Sequence, residues 1–362
     1  AGKLNFKADG SAGSVINQGE ITTPLGGNIY LIGSQVTNQG LITTPQGETI
    51  LAAGATVSLI DTATPGVKVD ITGAEGNVTN LGQITAEAGR IGMAGVLVRN
   101  SGQLNASSVV NQGGRIFLKA SQDTYVDQGG RMLTTGTTGG SVEILGNRVA
   151  LTDQAQVDAS GEQGGGQILV GGDYQGKNAN IQNAQVTYVG KDTQLKASAT
   201  HTGAGGKVIV WSDDTTRAYG NIEAKGGTNA GNGGFIETSG KRYLDVAGIK
   251  VSAGGTAGAA GVWLLDPADI TITHYGGLGY SVTQPFAPTG ATGTITDADI
   301  NATLDSGTDV TITTAAGTGG AGNLTVYGSA DPGGAVVITN ASGNARNLTF
   351  NADGAFSAHA GS

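Results

Sequence analysis

The chain has no cysteine, few aromatic residues and little charge. Without cysteine it can form neither a disulfide nor a thiolate metal site, and the absence is compatible with export in an unfolded form. No apolar run approaches the 18 residues or so that a membrane-spanning helix needs, so no membrane insertion is expected. The 28 acidic residues outnumber the 19 basic ones, and the net charge of −9 argues against nucleic acid as the main partner.

Sustained amphipathic helices are also missing from the pattern. Glycine accounts for 65 of the 362 residues, and Gly, Asn, Thr and Val recur too densely for a 3.6-residue period to persist. The glycines lack the strict three-residue period of collagen. Hydrophobic residues make up 38% of the chain and alternate in short strands, which is enough to fill a core. The sequence therefore predicts an all-β protein.

What the chain does have is a repeat. A glycine-headed strand recurs eight times, starting at Gly26, Gly47, Gly113, Gly139, Gly165, Gly205, Gly233 and Ala260. Two positions in each copy are nearly always aliphatic, as in Ile116/Leu118, Val142/Ile144, Ile168/Val170 and Val208/Val210. Because side chains alternate between the two faces of a strand, this pattern predicts half-buried strands. Its repetition predicts a solenoid whose coils stack in register.

A second strand type carries one asparagine in each coil. It begins at Val15, Val36, Val78 and Val98, and its asparagines are Asn17, Asn38, Asn80 and Asn100. The spacings of 21, 42 and 20 residues indicate a coil of about 20 to 21 residues early in the chain. Stacked amides at a turn can hydrogen-bond along the axis, so we predict an asparagine ladder rather than a ligand site.

Two stretches depart from the strand pattern. The interval from Gly165 to Gly205 is 40 residues, 14 more than the 26 before it, and residues 173–186 lack the alternation, so we expect a surface excursion there. A second excursion is expected at about 274–293, which holds Pro285 and Pro288. The expected organisation is a stalk over residues 1–267 and more irregular coils over 268–362.

At Trp263 the sequence reads Trp-Leu-Leu-Asp-Pro-Ala-Asp-Ile-Thr-Ile. This resembles a signature of the filamentous-haemagglutinin and high-molecular-weight adhesin family of two-partner-secreted (TpsA-type) exoproteins. The stretches around Gly47, Gly171 and Gly206 resemble the same family. The signature residues, expected to be structural, are Trp263, Leu264, Leu265, Asp266 and Pro267.

The resemblance implies a right-handed parallel β-helix, secreted to the cell surface of a Gram-negative bacterium through a dedicated outer-membrane pore partner. With the two excursions expected from the spacing, the predicted fold is an all-β, right-handed parallel β-helix with two surface excursions. It also implies a role in adhesion, biofilm or toxin delivery. The family's amino-terminal secretion domain, with its Asn-Pro-Asn-Gly motif, is not found, so we expect a stalk segment of a longer protein that lies just beyond that domain. Unpaired strand edges at its ends predict self-association, end to end or laterally.

Catalytic chemistry is poorly supplied. His201, His274 and His359 are scattered without metal-ligand spacing, and no cofactor or metal is predicted. Polysaccharide lyases and hydrolases share the β-helix fold, and the nearest candidate residues for that alternative are Asp213, Asp214 and Arg217 beside Lys207. They fall at a turn, where Asp-Asp is ordinary, so we predict that the chain is not an enzyme.

Five large side chains are expected on the outward side of the glycine-headed strands: Tyr30, Phe117, Leu169, Ile209 and Trp211. Exposed, they would form a stripe able to stack on host or matrix glycans, which is the carbohydrate-binding alternative. Alternatively, the excursion at 173–186 lies across Leu169 and Ile209 and buries them. The sequence favours covering for those two and leaves Tyr30 and Phe117 open.

Overall fold

The structure is a computed structural model that describes residues 2–9, 13–61, 67–274, 285–286, 292–317 and 319–361. Most of the second predicted excursion, at 274–293, lies outside the described residues, including Pro288. The first predicted excursion is described throughout. Apart from a short 3₁₀ turn at Tyr174–Gly176, residues 173–185 contain no helix or strand.

The described residues form 34 strands and one α-helix. The first strands are β1 (Lys3–Lys7), β2 (Ser14–Asn17), β3 (Glu20–Thr22), β4 (Ile29–Gly33), β5 (Gln35–Asn38), β6 (Leu41–Thr43), β7 (Glu48–Ala53), β8 (Thr56–Asp61), β9 (Val67–Thr72), β10 (Asn77–Asn80), β11 (Gln83–Thr85) and β12 (Arg90–Asn100). They are followed by β13 (Gln103–Asn105), β14 (Arg115–Val126), β15 (Arg131–Leu133), β16 (Ser141–Leu145), β17 (Arg148–Leu151), β18 (Gln156–Asp158), β19 (Gln167–Val170), β20 (Val186–Val189), β21 (Gln194–Lys196), β22 (Lys207–Ser212), β23 (Thr215–Ala218) and β24 (Asn221–Glu223). The last elements are β25 (Phe235–Gly240), β26 (Tyr243–Asp245), β27 (Lys250–Ser252), β28 (Gly261–Leu265), β29 (Ile270–Thr273), β30 (Gly293–Thr296), α1 (Asp297–Asp305), β31 (Thr308–Thr313), β32 (Leu324–Val326), β33 (Leu348–Asn351) and β34 (Phe356–Ala358).

These strands wind into a parallel β-helix, which confirms the predicted fold. Its first face stacks eleven of the described strands in the order β4, β7, β12, β14, β16, β19, β22, β25, β28, β31 and β33. The second face begins with β2, β5 and β10, and the long strands β12 and β14 run through both faces. The third face is a separate sheet of nine short strands, from β3 to β27.

The predicted inward columns do stack in register. On the first face Ile116 lies beside Val142, which lies beside Ile168, which lies beside Val208. All four side chains have no solvent exposure. Each coil thus places its aliphatic side chains directly on those of its neighbours, and they belong to one continuous hydrophobic core.

Paired glycines close five successive coils, at Gly114, Gly140, Gly166, Gly206 and Gly234. The second glycine of a pair donates its N–H across the coil to a carbonyl just after the third-face strand, as from Gly140 to Thr134 at 2.7 Å and from Gly166 to Ala159 at 2.8 Å. A Cβ on Gly140 would lie 2.1 Å from the carbonyl oxygen of Gly114 in the coil below. The backbone approach is too close for any side chain, which explains why the repeat begins with glycine.

The asparagine ladder is confirmed as well. The side-chain amide of Asn17 donates to Asn38, Asn38 donates to Asn80, and Asn80 donates to Asn100, each at 2.8 Å. All four are buried. Each of these hydrogen bonds therefore pairs a buried amide N–H with a buried amide oxygen in the next coil.

The 42-residue spacing between Asn38 and Asn80 holds one coil rather than two, because β5 pairs directly with β10. The extra residues form an antiparallel hairpin of β8 and β9, and β1 adds to the β8 edge. The sequence analysis missed this small sheet. The apolar alternation at Val57 and Leu59 is the same as that of a coil strand, so the sequence pattern does not distinguish an antiparallel hairpin from another parallel coil.

The helix α1 was not predicted either. Its N-cap is Thr296, whose hydroxyl accepts from the Asp299 N–H at 3.1 Å and donates to the Asp299 carboxylate at 2.6 Å. This Thr-x-x-Asp capping arrangement is the local signal that a search for long amphipathic patterns passes over. The helix packs beside β27, where the third face ends among the described residues, and none of these has a helix long and apolar enough to span a membrane.

Replacing Asn38 by alanine should lower the free energy of unfolding by about 3 kcal/mol, because two buried amide partners lose a hydrogen bond. Urea unfolding of Asn38→Ala measures the loss. The matched control is Gln39→Ala, since Gln39 makes the same kind of amide contact with Gln18 on the exposed surface. The control should change stability by less than about 0.5 kcal/mol. Equal effects of the two substitutions would contradict the role of the ladder.

Candidate functional site: the covered outer face

The outward column of the first face gathers most of the residues that the sequence analysis singled out. Tyr30, Phe117, Leu169 and Ile209 share this column, and Trp211 stands two residues beyond Ile209. They do not form an exposed stripe. Tyr30 is half-buried, and the other four are 7% exposed or less. The idea of an open aromatic stripe for stacking on glycans is therefore corrected.

At the start of this column the antiparallel sheet of β1, β8 and β9 is the cover. Val57, Leu59 and Val69 pack in one buried cluster with Ile50 and Phe117. The apolar side of the β8–β9 hairpin packs against the outward apolar side chains of β7 and β14. Each sheet has one apolar face, and packing these two faces together removes both from water.

The ring of Phe117 is fixed from several sides. A Cβ on Gly92 would lie 2.1 Å from the ring, so the ring occupies the space over that glycine. The guanidinium groups of Arg90 and Arg115 lie 5.0 and 6.0 Å from the ring centre. Each of these arginines also pairs with a carboxylate. Phe117 is thus part of a packed cation–π cluster and has no free face for a ligand.

Further along, residues 173–185, here called the cover loop, cross the column. Asp173 anchors the start of this loop: its carboxylate accepts from the Lys207 ammonium at 2.6 Å and from the Asn178 amide at 2.9 Å. Burial alone would raise the pKa of Asp173, but these hydrogen bonds hold it below its ordinary value. The charged form of Asp173 is therefore the one that fixes the loop.

The middle of the cover loop lies on Trp211. A Cβ on Gly176 would be 2.5 Å from the indole nitrogen, and Gly176 has a φ of +61°, so glycine is required there. The indole N–H donates to Asp213 at 3.1 Å, and Asn183 donates to the same carboxylate oxygen at 3.1 Å. Ile181 packs against the strip of Leu169, Ile209 and Trp211.

The loop is joined to the family signature through Gln175. Its backbone N–H lies 3.2 Å from both carboxylate oxygens of Glu237, and its side-chain amide donates to Asp266 at 2.7 Å. Within the signature, Trp263 is fully buried and donates to Thr238 at 2.9 Å. Trp263 and Leu265 thus fill the core, Leu264 lies in the outward column beside Glu237, and Asp266 reaches out to hold the loop.

The charged forms of Glu237 and Asp266, the two acids that contact Gln175, are destabilised by burial. Burial raises the pKa of Glu237 to about 7, the N–H of Gln175 and the hydroxyl of Ser239 oppose the shift, and the charge of Asp266 adds to it. Burial also raises the pKa of Asp266, against the hydrogen bond from Gln175. Glu237 has no solvent exposure, so water cannot stabilise its charged carboxylate and only the neighbouring protein donors can.

The residues considered for a lyase do not converge. Asp213 is occupied by Trp211 and Asn183, and Asp214 pairs with Arg242, whose hydrogen bond lowers the Asp214 pKa. Arg217 stands on the second face, between Tyr188 and Asp245 in register.

The histidines are likewise apart. His274 lies 2.7 Å from Asp297, His359 lies 2.7 Å from Asp331, and His201 contacts Asn229. In the part of the chain that the structure describes, no three His, Asp or Glu residues come together in a way that could hold a metal ion.

One aromatic group escaped the sequence analysis. On the second face Tyr188 meets Tyr219 edge to face, with ring centres 5.9 Å apart, and the Tyr219 hydroxyl donates to Asp245 at 2.7 Å. Nearby, the Phe286 ring lies 5.9 Å from the Tyr125 ring. Aligning the second strand type beyond Val98 would have shown Tyr125 and Tyr188 in one outward column.

Replacing Trp211 by alanine should destabilise the protein by about 3 to 5 kcal/mol, because it empties a packed site and removes the floor of the cover loop. Chemical denaturation measures the change. Leu25→Ala is the control, since Leu25 is 71% exposed and its loss should be nearly neutral. A Trp211→Ala variant as stable as the control would show that the loop does not pack on the indole.

No family model and no curated protein matches the sequence. Among solved structures, the chain is similar to the crystal structure of the HMW1 secretion domain from Haemophilus influenzae. The sequences are 31% identical, the TM-score is 0.60, and the match covers 73% of this chain and 70% of that one.

This match sets aside the expectation that the chain lies wholly beyond a secretion domain, although the Asn-Pro-Asn-Gly motif is not in the sequence. At this identity and coverage, and with the signature from Trp263 to Pro267 in place, the chain belongs to the filamentous-haemagglutinin and high-molecular-weight adhesin family of two-partner-secreted exoproteins.

Proposed function

We propose that this chain is a rigid β-helical stalk segment of a large secreted adhesin, which holds more distal regions away from the surface of a Gram-negative cell. The observation that supports the proposal most is the unbroken stack of eleven parallel strands on the first face of the described residues. At about 4.8 Å between strands, this stack extends about 48 Å along the axis.

The outer surface supports display rather than catalysis. The largest side chains on the first face lie under the antiparallel sheet or under the cover loop, and Asp213 and Asp214 are each held by neighbouring side chains. The coils enclose a continuous core, and the large apolar side chains on their outer side are covered. In a solenoid each coil contacts only its two neighbours, so the stability of the segment is approximately a sum of coil and coil–coil terms.

Export through an outer-membrane pore partner follows from the family and is part of the proposal. The likeness to a secretion domain supports a position near the part of the exoprotein that meets the pore. The absence of cysteine fits export in an extended form, because no disulfide can form and block the unfolded chain before it has passed through the pore.

Self-association in a matrix or fibre is also part of the proposal. Ile16 in β2 is 58% exposed and Phe356 in β34 is 52% exposed, so large apolar side chains stand on the outside of the described strands. Exposed apolar side chains of this kind can pack laterally against a second copy of the chain.

The test uses the whole native protein in its own bacterium, with and without the pore partner. With the partner, the protein should reach the cell surface, and electron microscopy should show a thin straight rod. Deletion of the partner should remove the surface fraction, and restoring the partner gene should bring it back. Surface display that is independent of the partner, or a compact particle, would contradict the proposal.

A further inference from the structure

The cover loop is held at its tip by one residue that faces two buried acids. Gln175 contacts Glu237 through its backbone and Asp266 through its side chain, and its φ of +52° is unusual for a residue other than glycine. One N–H is shared between both oxygens of Glu237 at 3.2 Å each, and the Ser239 hydroxyl is a further donor to this carboxylate. The other oxygen of Asp266 is buried without a hydrogen-bond partner among the described residues. The pair is therefore short of donors.

Other charged groups stand around the pair but do not neutralise it. They are Asp173 and Lys177 in the cover loop, Lys207 at the start of β22, Asp213 after β22, and Lys241 after β25. Lys207 is engaged with Asp173 at 2.6 Å. Lys177 donates to the side chain of Gln175 at 2.6 Å. The donor that the two acids lack is best supplied by a proton on one of them, which turns an acceptor into a donor.

We propose that the cover loop is a proton-dependent clasp, closed over Leu169, Ile209 and Trp211 while Glu237 and Asp266 together hold a proton, and released when both are charged. Two negative charges out of water with so few donors are unfavourable, and opening rehydrates them. Between its anchor at Asp173 and the start of β20 the loop has no strand pairing to keep it closed. It is held by its contacts with Trp211 and Asp213 and by Gln175, and the contacts of Gln175 are the ones that change with the charge of the two acids.

The direction of the pH effect follows from the carboxyl groups. The Glu237 pKa is about 7 in the closed form against an ordinary 4.5, so the closed form binds the proton more tightly. Closure is then fully favoured below about pH 4.5 and is lost as the pH rises through about 7. The raised pKa of Asp266 acts in the same direction.

Hydrogen exchange of the full chain tests the clasp. The protection factor of residues 173–185, corrected for intrinsic exchange, should fall about 50-fold between pH 5 and pH 8 relative to the core strand β16. Glutamine resembles protonated glutamate and stays uncharged at every pH. The protection factor of the cover loop in Glu237→Gln should therefore not fall between pH 5 and pH 8. If that variant does not fold, Asp266→Asn removes the second charge and should reduce the fall.

The matched control is Glu143→Gln. Glu143 stands in the same outward column, two coils before Ile209, but its carboxylate pairs with Arg115 at 2.7 Å rather than with Gln175. This variant should keep the full pH dependence of the wild type. Equal protection at both pH values in the wild type, or an unchanged fall in Glu237→Gln, would overturn the proposal.

Discussion

The hydrogen bond that closes a coil, from a glycine N–H to the carbonyl just after the third-face strand, is the constraint on which the rest of the structure depends. It fixes where the chain turns back onto the first face, and the backbone of the neighbouring coil leaves no room there for a Cβ, as at Gly140 and Gly166. With that point fixed in successive coils, the next inward side chains, such as Val142 and Ile168, fall directly on one another. Register, core and rod shape all follow.

The sequence was sufficient for features that repeat. Glycine pairs, inward columns and the asparagines are visible because each coil carries them, so aligning the coils is enough to put Asn38 beside Asn80. Features that occur once were harder. The β8–β9 hairpin alternates like any coil strand, and α1 is indicated only by the Thr296 cap. Whether an outward residue such as Phe117 is exposed depends on non-repeating segments that fold over it, which no column in the repeat records.

The family signature gains a physical explanation here. Its tryptophan and second leucine fill the core, and its aspartate reaches outward to Gln175 in the cover loop. That loop departs after β19 and returns at β20, whereas Asp266 follows β28. The signature therefore ties together coils that are distant in sequence, and its Asp266 lies with Glu237 of β25 under the same loop residue, Gln175.

The interval of 38 residues between Gln156 and Gln194 is one coil, with the cover loop projecting from it and the third-face strands in direct register. Neighbouring strands bring paired Cα atoms within the range that a disulfide spans, and the native chain has no cysteine to interfere. Oxidation of a Gln156→Cys/Gln194→Cys double variant, followed by mass spectrometry, should give an intramolecular disulfide in nearly all molecules. The Gln156→Cys/Lys196→Cys variant, displaced by two residues, should stay reduced. Efficient bridging in the displaced pair, or none in the matched pair, would contradict the stacked coil.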